Sequence, residues 1–208
     1  MRQRQPLGAL LPLLLGLSLA RSSVAAGDEL FYAARDGRVD EVRRLVGGAG
    51  GVAADTRHES GLTALMWAAT TGQAKVITAL LGSGADPDLL LEWNGCTALI
   101  LAAKNHHVLA VDALLAGGAS VDVQQKNGHT ALMLAAESGD HRESATVKAL
   151  LRGGANPLLR SEDGWFFAGD TAKLMAERYG HDDAADLLSK AEARWLLLQD
   201  DDGAATEL

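Results

Sequence analysis

Apolar residues recur along this 208-residue chain at the spacing of short helices that come in pairs. The stretch GLTALMWAATTG, residues 61–72, has a Thr before its apolar run and a Gly at its end. A second apolar run, marked by Val76, Leu80 and Leu81, follows at helical spacing. The pattern predicts two short helices joined by a tight turn.

The same pattern returns twice at a nearly constant distance, as GCTALILAAKNH from Gly95 and GHTALMLAAESG from Gly128. Thr63, Thr97 and Thr130, at equivalent places, lie 34 and 33 residues apart. A hydroxyl at this place can accept a hydrogen bond from an otherwise unpaired amide, so each Thr is predicted to cap a helix. A degenerate fourth copy begins near residue 169, and a period of this length predicts stacked repeats.

Small and turn-forming residues support this interpretation. Paired alanines such as Ala102 and Ala103 let a neighbouring helix approach closely. Gly72 ends its helix, where a residue with positive φ is favoured. His106 occupies the equivalent place in the second copy and predicts a more strained turn. Asn-Gly at 94–95 and at 127–128 indicates a hairpin before each of two copies.

The repeated words TALMWAATTGQ, TALILAAKNHH and TALMLAAESGD, followed by LLGSGADP, LLAGGASV and LLRGGANP, resemble the ankyrin repeat family. That family's signature is TPLHxAAxxGH followed by LLxxGAD. The resemblance implies an all-α solenoid of stacked helix-turn-helix units with hairpin loops. The departures are Ala64, Ala98 and Ala131 for the family's Pro, and Met66, Ile100 and Met133 for its His.

The resemblance divides the chain into consecutive segments. DELFYAARDGRVDEVRRLV, 28–46, is similar to a leading helix pair without the TPLH words. The acidic end is expected to lack regular structure. The predicted segments are a signal peptide at 1–26, the leading pair and a linker at 27–60, repeats at 61–91, 92–124 and 125–160, the last with a short insertion, a degenerate repeat at 161–196, and an acidic tail at 197–208.

The first 26 residues resemble a secretory signal peptide, because Arg2 and Arg4 precede LGALLPLLLGLSLA and the small residues SSVAAG. The apolar stretch has 14 residues, too few to span a bilayer comfortably, so no stable membrane insertion is expected once it is removed. Cleavage is expected after Ala26 or Ala20. Export is therefore predicted, with an organelle transit peptide, or lumenal retention through the final residues ATEL, as alternatives.

Charge and composition narrow the function classes. The chain carries a net charge of −8, and removal of residues 1–26 with their three Arg makes it −11. Nucleic acid is not expected as a partner, because phosphate binding needs a basic face. Cys96 is the only cysteine, which excludes an intrachain disulfide and a thiolate zinc cluster. No GxSxG, HExxH or GxxxxGK motif occurs, so neither an enzyme nor a cofactor is predicted.

Histidines offer the alternative function of a metal-binding protein or small enzyme. His106, His107 and His141 fall in turns of adjacent units and could be imagined as ligands. They are interpreted here as solvated turn residues, because no acidic or thiol ligand joins them at regular spacing.

The function that the resemblance implies is a non-catalytic protein–protein interaction module, binding a protein or peptide through its concave face and hairpin tips. Trp67 is expected in the core. Trp165 and Phe167 could instead fold over the core of the last unit. The candidate partner-binding residues are Trp93, Asn94, Lys104, Asn105, Lys126, Asn127, His129, Glu137, Trp165, Phe166, Phe167, Arg178 and Tyr179.

Overall fold

The computed structural model describes residues 27–47, 51–138, 143–162 and 169–204. Within these ranges the chain forms ten helices and no strand; one isolated β-bridge joins Arg57 to Thr63. The helices come in five consecutive pairs. They are α1 (27–35), α2 (Val39–Gly47), α3 (Ala64–Thr70), α4 (Ala74–Gly82), α5 (Ala98–Lys104), α6 (Val108–Ala116), α7 (Ala131–Glu137), α8 (Glu143–Arg152), α9 (Ala172–Tyr179) and α10 (Asp182–Ala204).

The helix pairs stack into two layers. In the first-helix layer α3, α5, α7 and α9 pack side by side in chain order. In the second-helix layer α2, α4, α6, α8 and α10 do the same. The two members of each of the last four pairs also pack on each other. This arrangement is a solenoid of helix pairs and confirms the all-α fold predicted from the repeats.

The three predicted threonine caps are present, and the degenerate copy has a fourth. The Oγ1 atoms of Thr63, Thr97 and Thr130 accept a hydrogen bond from the amide three residues ahead, at 3.2, 3.3 and 3.3 Å. Thr171 does the same in the degenerate copy, at 3.5 Å. Each cap therefore satisfies one of the amides that a helix leaves unpaired at its start.

The described turns after the first helices each have a left-handed residue. Gly72 has φ 74° and Gly180 has φ 75°, whereas His106 holds φ 53° and is the only non-glycine with positive φ among the described residues. A left-handed conformation costs a side-chain-bearing residue about 1–2 kcal/mol. The strained turn predicted for the second repeat is confirmed.

The core runs through the stack between the two layers. Leu65, Leu99 and Leu132 are each 1% exposed, and Ala102 and Ala103 are fully buried. Alanine has the smallest side chain that still favours a helix, so the helices of adjacent units can pack at short distance.

Aspartates tie the first four helix pairs to one another. The backbone amides of Asp86, Ser120 and Asn156 donate to the carboxylates of Asp55, Asp88 and Asp122, at 3.0, 2.9 and 3.0 Å. Each bond joins the loop after one helix pair to the equivalent loop of the following pair. These bonds to charged acceptors fix the loops in register along the stack.

Two features differ from the prediction. α10 extends past residue 196 to Ala204, so residues 197–204 are helical, contrary to the expected irregular tail. Trp67, expected in the core, is only partly buried, and its ring packs edge to face against Phe31 of α1 with ring centroids 5.1 Å apart. No helix in the described part of the chain is both long and apolar enough to cross a membrane.

Candidate functional site

In α3, α5 and α7 of the first-helix layer, the accessible surface lies mainly at the carboxyl ends of the helices. α5 buries Ala98, Leu99, Ile100, Ala102 and Ala103 between its neighbours. Its last residue, Lys104, and the following Asn105 are exposed. The equivalent residues of the other units are also accessible, whether partly buried or exposed: Thr70, Thr71, Glu137, Ser138, Arg178 and Tyr179. The stack thus presents one pair of variable side chains per unit along one edge.

A hairpin presents the most exposed aromatic residue of the described chain. Trp93 is 69% exposed at the hairpin before α5. The neighbouring hairpin supports this tip, because the Lys126 amide donates to the Asn94 carbonyl at 2.9 Å and Lys126 Nζ donates to the Glu92 carbonyl at 2.5 Å. Lys126 therefore stabilises the neighbouring hairpin through its backbone amide and its ammonium group, while the Trp93 side chain remains exposed to solvent.

Below the tip, polar side chains form hydrogen bonds within and between the hairpins. Asn94 Oδ1 accepts from the Cys96 amide at 3.0 Å. Cys96 is buried, and its thiol donates to Gln125 Oε1 at 2.9 Å. Burial raises the pKa of this thiol above its usual value. Asn94 and Cys96 therefore set the hairpin conformation.

The amino-terminal end of the layer carries an aromatic and cationic cluster that the sequence reasoning missed. Phe31 stacks on His58 with centroids 4.0 Å apart and meets Tyr32 edge to face at 5.6 Å. Tyr32 is 42% exposed, and the guanidinium carbon of Arg35 lies 5.1 Å from its ring centroid. A cation over an aromatic face is attracted by the ring quadrupole. Ala33 and Ala34 align with the paired alanines of the later units, and this alignment could have identified the helix as part of the first-helix layer.

The carboxy-terminal end brings three predicted residues together. Arg178 pairs with Asp170 at 2.6 Å. The Tyr179 hydroxyl donates to Glu137 Oε1 at 3.3 Å, which joins two neighbouring units. Desolvation and then the negative charge of Glu137 raise the pKa of Tyr179 above its usual value.

Several predicted site residues do not lie on the surface. His129 is 5% exposed, because it sits where the hairpin enters the helix. Asn127 is partly buried, and its Oδ1 has no hydrogen-bond partner among the described residues. Trp165, Phe166 and Phe167 lie outside the described residues. The predicted binding surface therefore loses His129 and keeps Trp93, Lys104, Asn105, Lys126, Arg178 and Tyr179.

The interpretation of the turn histidines as solvated side chains is wrong for His106 and His107. His106 is 4% exposed, and His107 is partly buried with Nε2 donating to the Thr70 carbonyl at 3.0 Å. His107 thus links its unit to the preceding one. His141 lies outside the described residues, and the described part of the chain contains no group of three His, Cys, Asp or Glu side chains arranged to hold a metal ion.

Sequence comparison agrees with this architecture. Ankyrin repeats match the chain in three overlapping copies, at residues 25–90, 75–161 and 99–198. The chain belongs to the ankyrin repeat family, whose members are in general non-catalytic protein–protein interaction modules.

A relative shares part of this region. The chain is 35% identical over 142 residues to the mitochondrial disaggregase of Bos taurus, an alignment that covers 65% of this chain and 20% of the relative. The chain thus spans about a fifth of the length of that curated relative. Because the family matches extend from 25 to 198, most of the aligned residues fall in the repeats.

Proposed function

We propose that this chain is a non-catalytic module that binds a protein or peptide partner through the exposed edge of the first-helix layer and the adjoining hairpin tips. The observation that carries the proposal is Trp93, a 69% exposed indole on a hairpin held by the next unit. Large aromatic side chains on a rigid support contribute more to protein binding than most other residues.

Further groups along the same edge support the proposal. The Tyr32 and Arg35 pair marks one end of the layer, and Arg178 and Tyr179 mark the other. Aromatic residues and Arg are the types most enriched in binding hot spots. Lys104 lies between the ends and offers a charge for recognition.

The test uses a displayed library of random peptides, selected on the full chain and measured by calorimetry. Trp93→Ala should weaken binding of the selected peptides by about tenfold or more, which corresponds to roughly 1.4 kcal/mol. The matched control is Leu109→Ala, which removes a 73% exposed apolar side chain from α6 in the opposite layer. Equal binding by wild type and Trp93→Ala, or an equal loss in both variants, would reject the proposed surface.

We further propose that residues 1–26 direct export and are then removed. The support is the basic start followed by the apolar run. An organelle is the alternative, since the relative is a mitochondrial protein by name. Fractionation with intact-mass measurement separates these outcomes: export predicts an N-terminus at residue 21 or 27, whereas a chain found in mitochondria would contradict it. Residues added after Leu208 should release a chain that is retained through ATEL.

A further inference from the structure

A groove of about 780 Å³ lies on the second-helix layer, away from the edge proposed for partner binding. It runs between α8 and α10, with a contribution from the start of α6. Its lining includes four cationic side chains, Lys148, Arg152, Lys190 and Arg194, and large apolar side chains such as Trp195 and Leu198. The groove thus combines an apolar floor with a basic rim.

The basic rim is unusual in a chain whose net charge is −8. Arg152 lies 3.6 Å from Asp112 and Lys190 lies 3.8 Å from Asp186, both as exposed pairs of little strength. Lys148 and Arg194 make no ion pair with the described residues. An acidic segment would therefore find uncompensated positive charge here.

The end of α10 adds an exposed apolar surface next to the groove. Leu196, Leu197 and Leu198 are 50%, 66% and 55% exposed. α10 has 23 residues whereas α4, α6 and α8 have nine or ten, so its last turns extend beyond the helix against which it packs. Three consecutive exposed leucines beside an apolar groove mark an interaction surface.

Helical periodicity makes this surface complementary to itself. Lys190, Arg194 and Leu198 follow one another at four-residue intervals, which places them on one face of α10. Continued by one more turn, the same face reaches positions 201 and 202, both Asp in the sequence. From its amino-terminal to its carboxy-terminal end, this stripe of residues on α10 is therefore basic, then apolar, then acidic. Two such stripes laid antiparallel bring the leucines together and set each acidic end on a basic one.

We propose that α10 docks into the groove of a second copy of this chain, forming an antiparallel two-fold dimer. The occupant is a second copy because the last turns of α10 carry exposed leucines that match the apolar floor of the groove and acidic residues that match its basic rim. The stripe is short, so the dimer is expected to be weak and concentration-dependent.

Sedimentation of the full chain over a wide concentration range tests the proposal through a charge exchange. Lys190→Glu with Arg194→Glu makes the stripe acidic throughout, and Asp201→Lys with Asp202→Lys makes it basic throughout. Each double variant alone should dimerise about tenfold more weakly than wild type. An equimolar mixture of the two should dimerise at least as well as wild type, because both contacts are then attractive.

The matched control is Lys75→Glu, a charge reversal at an exposed position of α4 outside the groove, which should leave dimerisation unchanged. Residues 1–26 are identical in all variants, so association through that segment would not respond to the exchange. Circular dichroism establishes that each variant is folded. A wild-type chain that stays monomeric overturns the proposal. A mixture that dimerises no more tightly than either double variant alone also overturns it. Saturable binding of an acidic apolar peptide to a monomeric chain would also overturn it.

Discussion

At the scale of single residues, hydroxyl and carboxylate groups decide how the units begin and how they join. Thr97 lies 1% exposed at the start of α5, where its Oγ1 is the acceptor for the Ile100 amide. Asp88 reaches from one loop to the Ser120 amide of the next. Such groups are few in each unit, so the loss of one leaves a backbone amide without its partner.

Thr97→Ala is expected to lower the free energy of unfolding by about 1 kcal/mol, because it removes the acceptor for the buried Ile100 amide. The matched control is Thr78→Ala, whose exposed hydroxyl donates to the Ala74 carbonyl within a helix, and which should change stability by less than about 0.5 kcal/mol. Urea unfolding followed by circular dichroism measures both. Equal losses would show that the cap contributes nothing specific.

Glu143 predicts a dependence of stability on pH. Its carboxylate is buried at the start of α8, with Oε2 3.3 Å from His181 Nδ1. Desolvation raises the pKa of Glu143 above its usual value, against the opposing effect of His181; Asp183 adds to the rise. The folded chain therefore holds this proton more tightly than the unfolded chain, so the contribution of Glu143 to stability falls as pH rises from its usual pKa through the raised one.

Glu143→Gln removes this titration while keeping the shape of the side chain. The variant should gain stability relative to wild type as pH rises through that window, then hold a constant difference at higher pH. Urea unfolding at a series of pH values measures the difference. Glu177→Gln, at an exposed glutamate of α9, is the control. A difference that is independent of pH, or that favours wild type as pH rises, would contradict the prediction.

At the scale of elements, the helices are stable only because they are packed. α3, α5 and α7 have seven residues each, far fewer than the roughly 12–15 that an isolated helix needs in water. Capping and propensity therefore place the helices, while burial of their apolar faces stabilises them.

Leu99→Ala, in the middle of the stack, should cost about 2–5 kcal/mol, because it removes a buried side chain from α5 and leaves a cavity. Leu109→Ala makes the same chemical change on α6 at a 73% exposed position and should change stability by less than about 0.5 kcal/mol. Chemical denaturation of the two variants compares them directly. A loss below about 0.5 kcal/mol for Leu99→Ala would mean that this leucine does not lie in the core.

At the scale of the whole molecule, the extensive contacts between the described helices join neighbouring units, so stability is approximately the sum of unit and interface contributions. The end units have one neighbour instead of two. Leu188 is buried in α10 at the carboxy-terminal end, and Leu99 is buried in the middle. Replacement of leucine by alanine at these two places should therefore destabilise different numbers of units.

Leu188→Ala should increase hydrogen exchange mainly in α9 and α10, because the remaining units keep their own interfaces. Leu99→Ala should increase exchange on both sides of α5, since it weakens two interfaces at once. Mass spectrometry of peptide fragments measures both patterns. A uniform increase along the chain for Leu188→Ala would instead indicate that the stack unfolds as a single cooperative unit.

Local rules were sufficient to predict the repeat architecture from the sequence. A Thr before the apolar run and a left-handed residue after it set the bounds of helices such as α3 and α5, and these depend on residues only a few positions apart. The exposed site positions at Trp93, Lys104 and Asn105 were predicted for the same reason. Burial of the apolar face of each helix fixes the register of the repeat, and that register determines which positions are exposed.

Other features were decided only when the units came together. His129 and His106 are buried in the packed stack, and Trp67 is partly buried with its ring against Phe31 of α1. The contacts of Tyr32 and Phe31 with His58, and the groove between α8 and α10, join segments distant in the sequence. No local pattern encodes these contacts, because burial of a side chain depends on the surface that a neighbouring unit brings against it.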